Sequence, residues 1–136
     1  MKLDSIANHL LQKGSVSDGS NPSLPKLYIY EADASNHAGQ DSFAQLVPSL
    51  VGMSINENLP DYHKGQIQLI TTAYDVDHGY DLADELSKQM TLRGADFEDM
   101  FVFRCVPKHK PILFRRNEQG MLEHSVNFDI TIRLKS

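Results

Sequence analysis

Apolar residues recur three and four apart at the start of the chain, at Leu3, Ile6, Ala7, Leu10 and Leu11. That spacing lays one stripe along a short helix, which Gly14 should end. Residues 15–25 are rich in Ser, Gly, Asn and Pro, the composition of a flexible linker or mobile arm. Leu27, Tyr28, Ile29 and Tyr30 predict a first strand. Residues 32–48 hold no sustained period and read as a long connection around Asn36, His37, Ala38, Gly39 and Gln40. Long loops in small domains often carry function. Residues 50–55 predict a second strand, broken by Asn56, Glu57, Asn58, Leu59 and Pro60.

Residues 66–72 predict a third strand, in which Ile67, Leu69 and Thr71 alternate with Gln66, Gln68 and Ile70. A second helix follows. Tyr80, Ala83, Leu86 and Met90 share a face, Asp75 or Asp77 serves as N-cap, and Gly94 should close it. Residues 97–106 predict a fourth strand with Phe97, Phe101 and Phe103 on one face and Met100, Val102 and Val106 on the other. Apolar residues on both faces predict a central strand covered on both sides. Pro107 ends it, Ile112, Leu113 and Phe114 begin a fifth strand, and residues 117–120 form a turn. The last segment alternates without a break through Leu122, His124, Val126, Phe128, Ile130, Ile132 and Leu134. It predicts a long antiparallel strand, one face buried and one wet, paired with the Ile112 strand.

The order is helix, three strands, helix, three strands. It predicts an α+β fold: a mostly antiparallel sheet with two helices packed on one face. With 136 residues the chain has room for one core, so a single domain over residues 1–136 is expected, with the linker near 15–25.

Charge narrows the function. The formal net charge is -5, from 13 basic and 18 acidic residues. A protein that grips DNA by its phosphates is usually basic, so a general DNA-binding module is disfavoured. A protein that surrounds DNA without holding it remains allowed, because an acidic wall lets a duplex slide past. The one cysteine, Cys105, permits no intrachain disulfide and reads as a small buried hydrophobe. The N-terminus shows neither a signal peptide nor a membrane span, which predicts assembly in a cytoplasm.

The chain offers little chemistry. Its six histidines include no HExxH and no i,i+4 pair on a helix. His63 beside Asp61, and His78 beside Asp75 and Asp77, are the only neighbourhoods for a small metal-dependent enzyme or nucleotide-binding regulator. Solvated loop histidines next to capping aspartates are the stronger reading. His124 is expected to be partly buried with a hydrogen-bond partner. There is no phosphate-binding glycine loop and no GxSxG. We therefore expect no catalytic residue, metal or cofactor, and an assembly part rather than an enzyme. Lys108, His109, Lys110, Arg115 and Arg116 form basic clusters around the fifth strand, where positive charge discourages wrong strand pairing. Asp96, Glu98 and Asp99 either face solvent or line a lumen.

Two stretches carry a family likeness. One runs from Ile55 through Asn56, Glu57, Asn58, Leu59, Pro60, Asp61, Tyr62, His63, Lys64, Gly65, Gln66 and Ile67 to Gln68, with Gly79 to Ala83 after it. The other runs from Lys110 through Pro111, Ile112, Leu113, Phe114 and Arg115 to Arg116, then Gly120 to Leu122 and Ser125 to Asp129. Both resemble the phage minor capsid protein family, whose members are similar to tail terminators of long-tailed phages. The resemblance implies a structural virion protein: a homo-hexameric ring that caps the tail tube, stops its polymerisation and joins the tail to the head connector. The implied partners are further copies of the chain, the tail-tube protein and the connector, with DNA passing through the ring without sequence-specific binding. A heterologous ring needs two different surfaces per subunit. Exposure logic assigns them to Phe114, Arg115 and Arg116 and to the Ala38, Gly39, Gln40 loop. Asp96, Glu98 and Asp99 are the lumen candidates. The nearest alternative is a head-completion or neck connector protein that binds the portal side.

Overall fold

The computed structural model describes residues 3–21, 23–30, 42–48, 58–59, 61–116 and 120–135. Helix α1 spans Asp4–Lys13 and ends where Gly14 turns left-handed, at φ 85°, with its N–H donating to the Leu11 carbonyl. Glycine takes that conformation without the Cβ clash other residues meet. Ile6, Ala7 and Leu10 are buried along one side of the helix. Residues 15–25, expected as a linker or arm, form a loop tied back to the first strand. The Ser17 N–H donates to the Pro25 carbonyl, the Leu27 N–H donates to the Ser17 carbonyl, and Val16 enters the core.

The strands are β1 Lys26–Ile29, β2 Phe43–Pro48, β3 Tyr62–Ala73, β4 Leu92–Asp96, β5 Met100–Pro107, β6 Ile112–Arg116 and β7 Leu122–Leu134. They form one sheet in the order β1-β2-β3-β7-β5-β4, with β6 also paired to β7. Among the described strands β1 and β2 pair in parallel and all other pairs are antiparallel. Helix α2, Val76–Met90, crosses between β3 and β4. The fold is therefore α+β, as the periodicity predicts.

The spine is β7. Twelve of its 13 residues pair with β3 along the whole length of β3, from Tyr62↔Arg133 to Ala73↔Leu122. On its other side β5 and β6 lie end to end. The pattern that marks β7 in the sequence also builds the core: Val126, Phe128, Ile130 and Ile132 are buried against Ile67, Leu69, Leu46, Met100 and Val102. Both helices close this side through Ile6, Leu10, Ala83, Leu86 and Met90. Each of these side chains larger than alanine contributes about 1.5–3 kcal/mol when withdrawn from water.

Helix α2 starts at Asp75, whose carboxylate accepts the His78 N–H at 2.7 Å. It leaves the helical conformation at Thr91, and its hydroxyl donates to the Ser87 carbonyl at 2.9 Å. Gly94 is therefore not its stop. It lies inside β4, at φ 68°.

Other expectations are corrected. Residues 43–48 belong to strand β2 rather than to a long connection. The signal is blurred because Phe43 is buried on one face while Ala44 and Leu46 are buried on the other. The expected strand over residues 97–106 is two elements. Phe97 is in a turn, its N–H donating to the Met100 carbonyl, and the ladder of β5 begins at Met100. Four strands, not three, follow α2. The wet face of β7 is not uniformly wet, since Glu123 and Ser125 are buried. The expected strand at residues 50–55 and the loop at Ala38, Gly39 and Gln40 lie outside the described residues.

Candidate functional site

Strand β6 is the most exposed of the described strands. All five of its residues are exposed, including Ile112 at 50%, Leu113 at 45% and Phe114 at 44%. The link from β5 sets its position. Pro107 ends the β5 ladder, the Lys108 N–H donates to the Asn127 carbonyl, and His109 Nε2 accepts the Asn127 N–H at 3.3 Å. The chain then pairs again with β7, Ile112↔Ser125 and Leu113↔His124. Among the described strands β7 is its only neighbour, so its outer edge faces no other described strand.

The structure brings Phe114, Arg115 and Arg116 together. The register of β6 shifts between Leu113 and Arg115, a bulge at Phe114. The Arg115 guanidinium lies over the Phe114 ring, 5.4 Å from its centroid, and pairs with the Glu123 carboxylate. Arg116 donates to the Gly120 carbonyl at 2.6 Å. Arg115 thus fastens β6 to β7, and Arg116 fastens it to the turn that precedes β7, while Phe114 stays partly open to solvent. Lys110 and Lys88 each approach Asp84 at 3.3 Å, and their hydrogen bonds, Lys110 first, hold that carboxyl below its usual range.

Asp96, Glu98 and Asp99 gather at the exposed turn between β4 and β5. Asp96 pairs with Lys135, and the Asp99 carboxylate accepts the Ser5 hydroxyl at 2.5 Å.

A second surface was missed in the sequence. The β5 register against β7 shifts between Val102 and Arg104. A bulge of this kind turns two successive side chains toward one face. Val102 and Cys105 both stay in the core, and Phe103 and Arg104 both emerge on the sheet face opposite the helices. Phe103 is 41% exposed and packs on Phe101 (centroids 5.0 Å apart) and Tyr62 (5.7 Å). The Arg133 guanidinium stands 5.8 Å from the Phe101 centroid. This face of β5 was expected to be covered, but it is open. The overlooked signal is the Phe-Arg step, which occurs at Phe103-Arg104 and at Phe114-Arg115, and both steps sit at bulges against β7.

The histidine neighbourhoods do not converge. Among the described residues no group of three His, Cys, Asp or Glu side chains is placed to hold a metal. Asp75 is occupied as the α2 cap. His124 was expected to be partly buried with a partner. It is fully buried, and its Nδ1 has no hydrogen-bond partner among the described residues. Burial pushes its pKa down, and the edge of the Tyr80 ring packs against it at 6.3 Å. Burial also pushes the Cys105 thiol up to about 12.

No protein-family model matches the chain, and no curated protein matches it either. Among the described residues no helix is long and apolar enough to cross a membrane.

Proposed function

We propose that the chain is a structural virion protein, a tail terminator that assembles as a ring on the end of a phage tail tube, stops its polymerisation and joins it to the head connector. The observation that carries this is the β6 edge. Ile112, Leu113 and Phe114 are exposed in succession along a strand whose only described neighbour is β7, within a segment of the family likeness. An exposed apolar edge strand invites pairing with another chain. Here the bulge at Phe114 and the flanking arginines restrict which chain can pair.

In this reading Phe114, Arg115 and Arg116 belong to a subunit or partner interface. Asp96, Glu98 and Asp99 supply acidic charge at the sheet end, suited to a passage that DNA traverses without being held. The partners are further copies of the chain, tail-tube protein and connector protein, and the site of action is the tail and neck of the virion, assembled in the host cytoplasm. Separate pull-downs on tube protein and on connector protein test the assignment. Capture by the tube protein supports a terminator. Capture by the connector alone moves the chain to a head-completion role.

A further inference from the structure

We infer that the open sheet face around Arg93 and Arg104 receives the acidic outer stripe of α2 from a second copy of the chain. The inference rests on the ring reading only for closure of the assembly, not for the contact itself.

Two charge arrangements are unfavourable within one chain. Arg93 stands directly opposite Arg104 in the β4–β5 ladder, and both are exposed. Like charges placed opposite one another weaken a sheet. Neither arginine has an ion pair among the described residues. The row continues across the sheet, Arg104↔Thr131 and Thr131↔Lys64, so three cations lie along one line of the face. Phe101, Phe103, Tyr62 and Arg133 lie beside it.

Helix α2 carries the opposite arrangement. Asp77, Asp81 and Glu85 are exposed at intervals of four, one stripe on the side turned from the core. Like charges four apart weaken a helix, although Asp77 gains from its place in the first turn. Asp77 and Asp81 have no ion pair among the described residues, and Glu85 accepts only a Gln89 amide at 3.1 Å. Val76 and Tyr80 are exposed on a different flank of the helix, where Tyr80 packs against His124.

The two surfaces match in charge and length. Eight residues of helix place Asp77 and Glu85 about 12 Å apart. Three strand spacings place Arg93 and Lys64 about 14 Å apart. The carboxylates of the stripe meet the Arg93 and Arg104 guanidiniums at one end of this row. The surfaces lie on opposite sides of the molecule, helix layer and open sheet face, so the contact is head-to-tail, the arrangement that builds rings when it closes. A nucleic acid is the other conceivable anion, but a net charge of -5 repels it.

A charge swap tests the contact on the full chain. Two variants are made, Arg93→Glu with Arg104→Glu, and Asp77→Lys with Asp81→Lys and Glu85→Lys. Mass is read by light scattering at low and high salt. The wild type should associate at low salt, each variant alone should be monomeric, and an equimolar mixture should regain wild-type mass and salt sensitivity. Because a misfolded variant could mimic loss, Arg93→Gln with Arg104→Gln should melt like the wild type and still associate more weakly. A wild type that stays monomeric at its highest soluble concentration, association unmoved by the substitutions, or a mixture no heavier than its components would overturn the inference. So would DNA-duplex binding by the wild type that the Arg→Glu variant loses. Tubes still capped by a chain that fails this test would leave the terminator reading standing. Head-to-tail association without capped tubes would remove that reading alone.

Discussion

Gly79 and His124 pack so closely that a Cβ on Gly79 would stand 2.7 Å from His124 Nδ1 and 3.0 Å from Cε1. The first turn of α2 rests on β7 through this contact, and the Thr71 hydroxyl donates to the Gly79 carbonyl at 3.1 Å beside it. A glycine inside a helix ordinarily weakens it by roughly 0.5–1 kcal/mol relative to alanine. Here the close approach outweighs that gain.

Gly79→Ala should therefore lose stability, by about 1–3 kcal/mol as in other overpacked cores. Urea unfolding gives the value. Combining it with His124→Ala should recover part of the loss, because the clash partner is then gone. A Gly79→Ala chain as stable as the wild type would show that the ring moves aside freely.

His124 also makes stability depend on pH. Its folded pKa is lowered by burial, so the folded chain favours the neutral ring and the unfolded chain binds the proton more readily. The contribution is fully present above the unfolded value of about 6.5 and is lost as pH falls below it. The urea midpoint should decline on acidification through that window, and His124→Gln should flatten this part of the profile.

Arg115 and Glu123 form the polar fastening of β6. Glu123 is buried while the Arg115 side chain is largely exposed, so the carboxylate depends on its partner more than the guanidinium does. Arg115→Gln should destabilise by about 1–3 kcal/mol, the usual consequence of leaving a buried polar group unpaired. Glu123→Gln in the same chain should recover much of it. A double-mutant cycle with no coupling would remove the fastening role.

Cys105 should be silent toward thiol reagents in the native chain. Its thiol is buried and its pKa is raised to about 12, so little thiolate forms at neutral pH. Labelling by a disulfide reagent should follow unfolding, and fast labelling of native protein would contradict the burial.

The sequence is most legible where one face of an element is buried and the other is not. The six apolar positions alternating from Leu122 to Leu134, with His124 in the same series, mark β7 for this reason, and the 3.6-residue spacing of Ala83, Leu86 and Met90 marks α2. Legibility fails where local chemistry and tertiary pairing disagree. Gly94 imitates a helix stop, but its positive φ serves a strand opposite the bulged Phe103. Phe97 continues the apolar run into β5 but belongs to a turn. The bulges at Phe103 and Phe114 break strict alternation, which hid the open basic and aromatic face from a period-two reading. Of the interface residues expected from sequence, Phe114, Arg115 and Arg116 come together, but nothing in the pattern foretells that both arginines turn back onto their own hairpin.

The most direct measurement is the length distribution of tail tubes polymerised from purified tube protein with increasing amounts of this chain, imaged by negative stain. The account predicts shorter tubes of defined length, each ending in a ring. It also predicts that Phe114→Ser abolishes the effect while shifting stability by less than about 0.5 kcal/mol, as expected for an exposed side chain. Tubes of unchanged, uncontrolled length with bare ends, at every ratio tested, would contradict it.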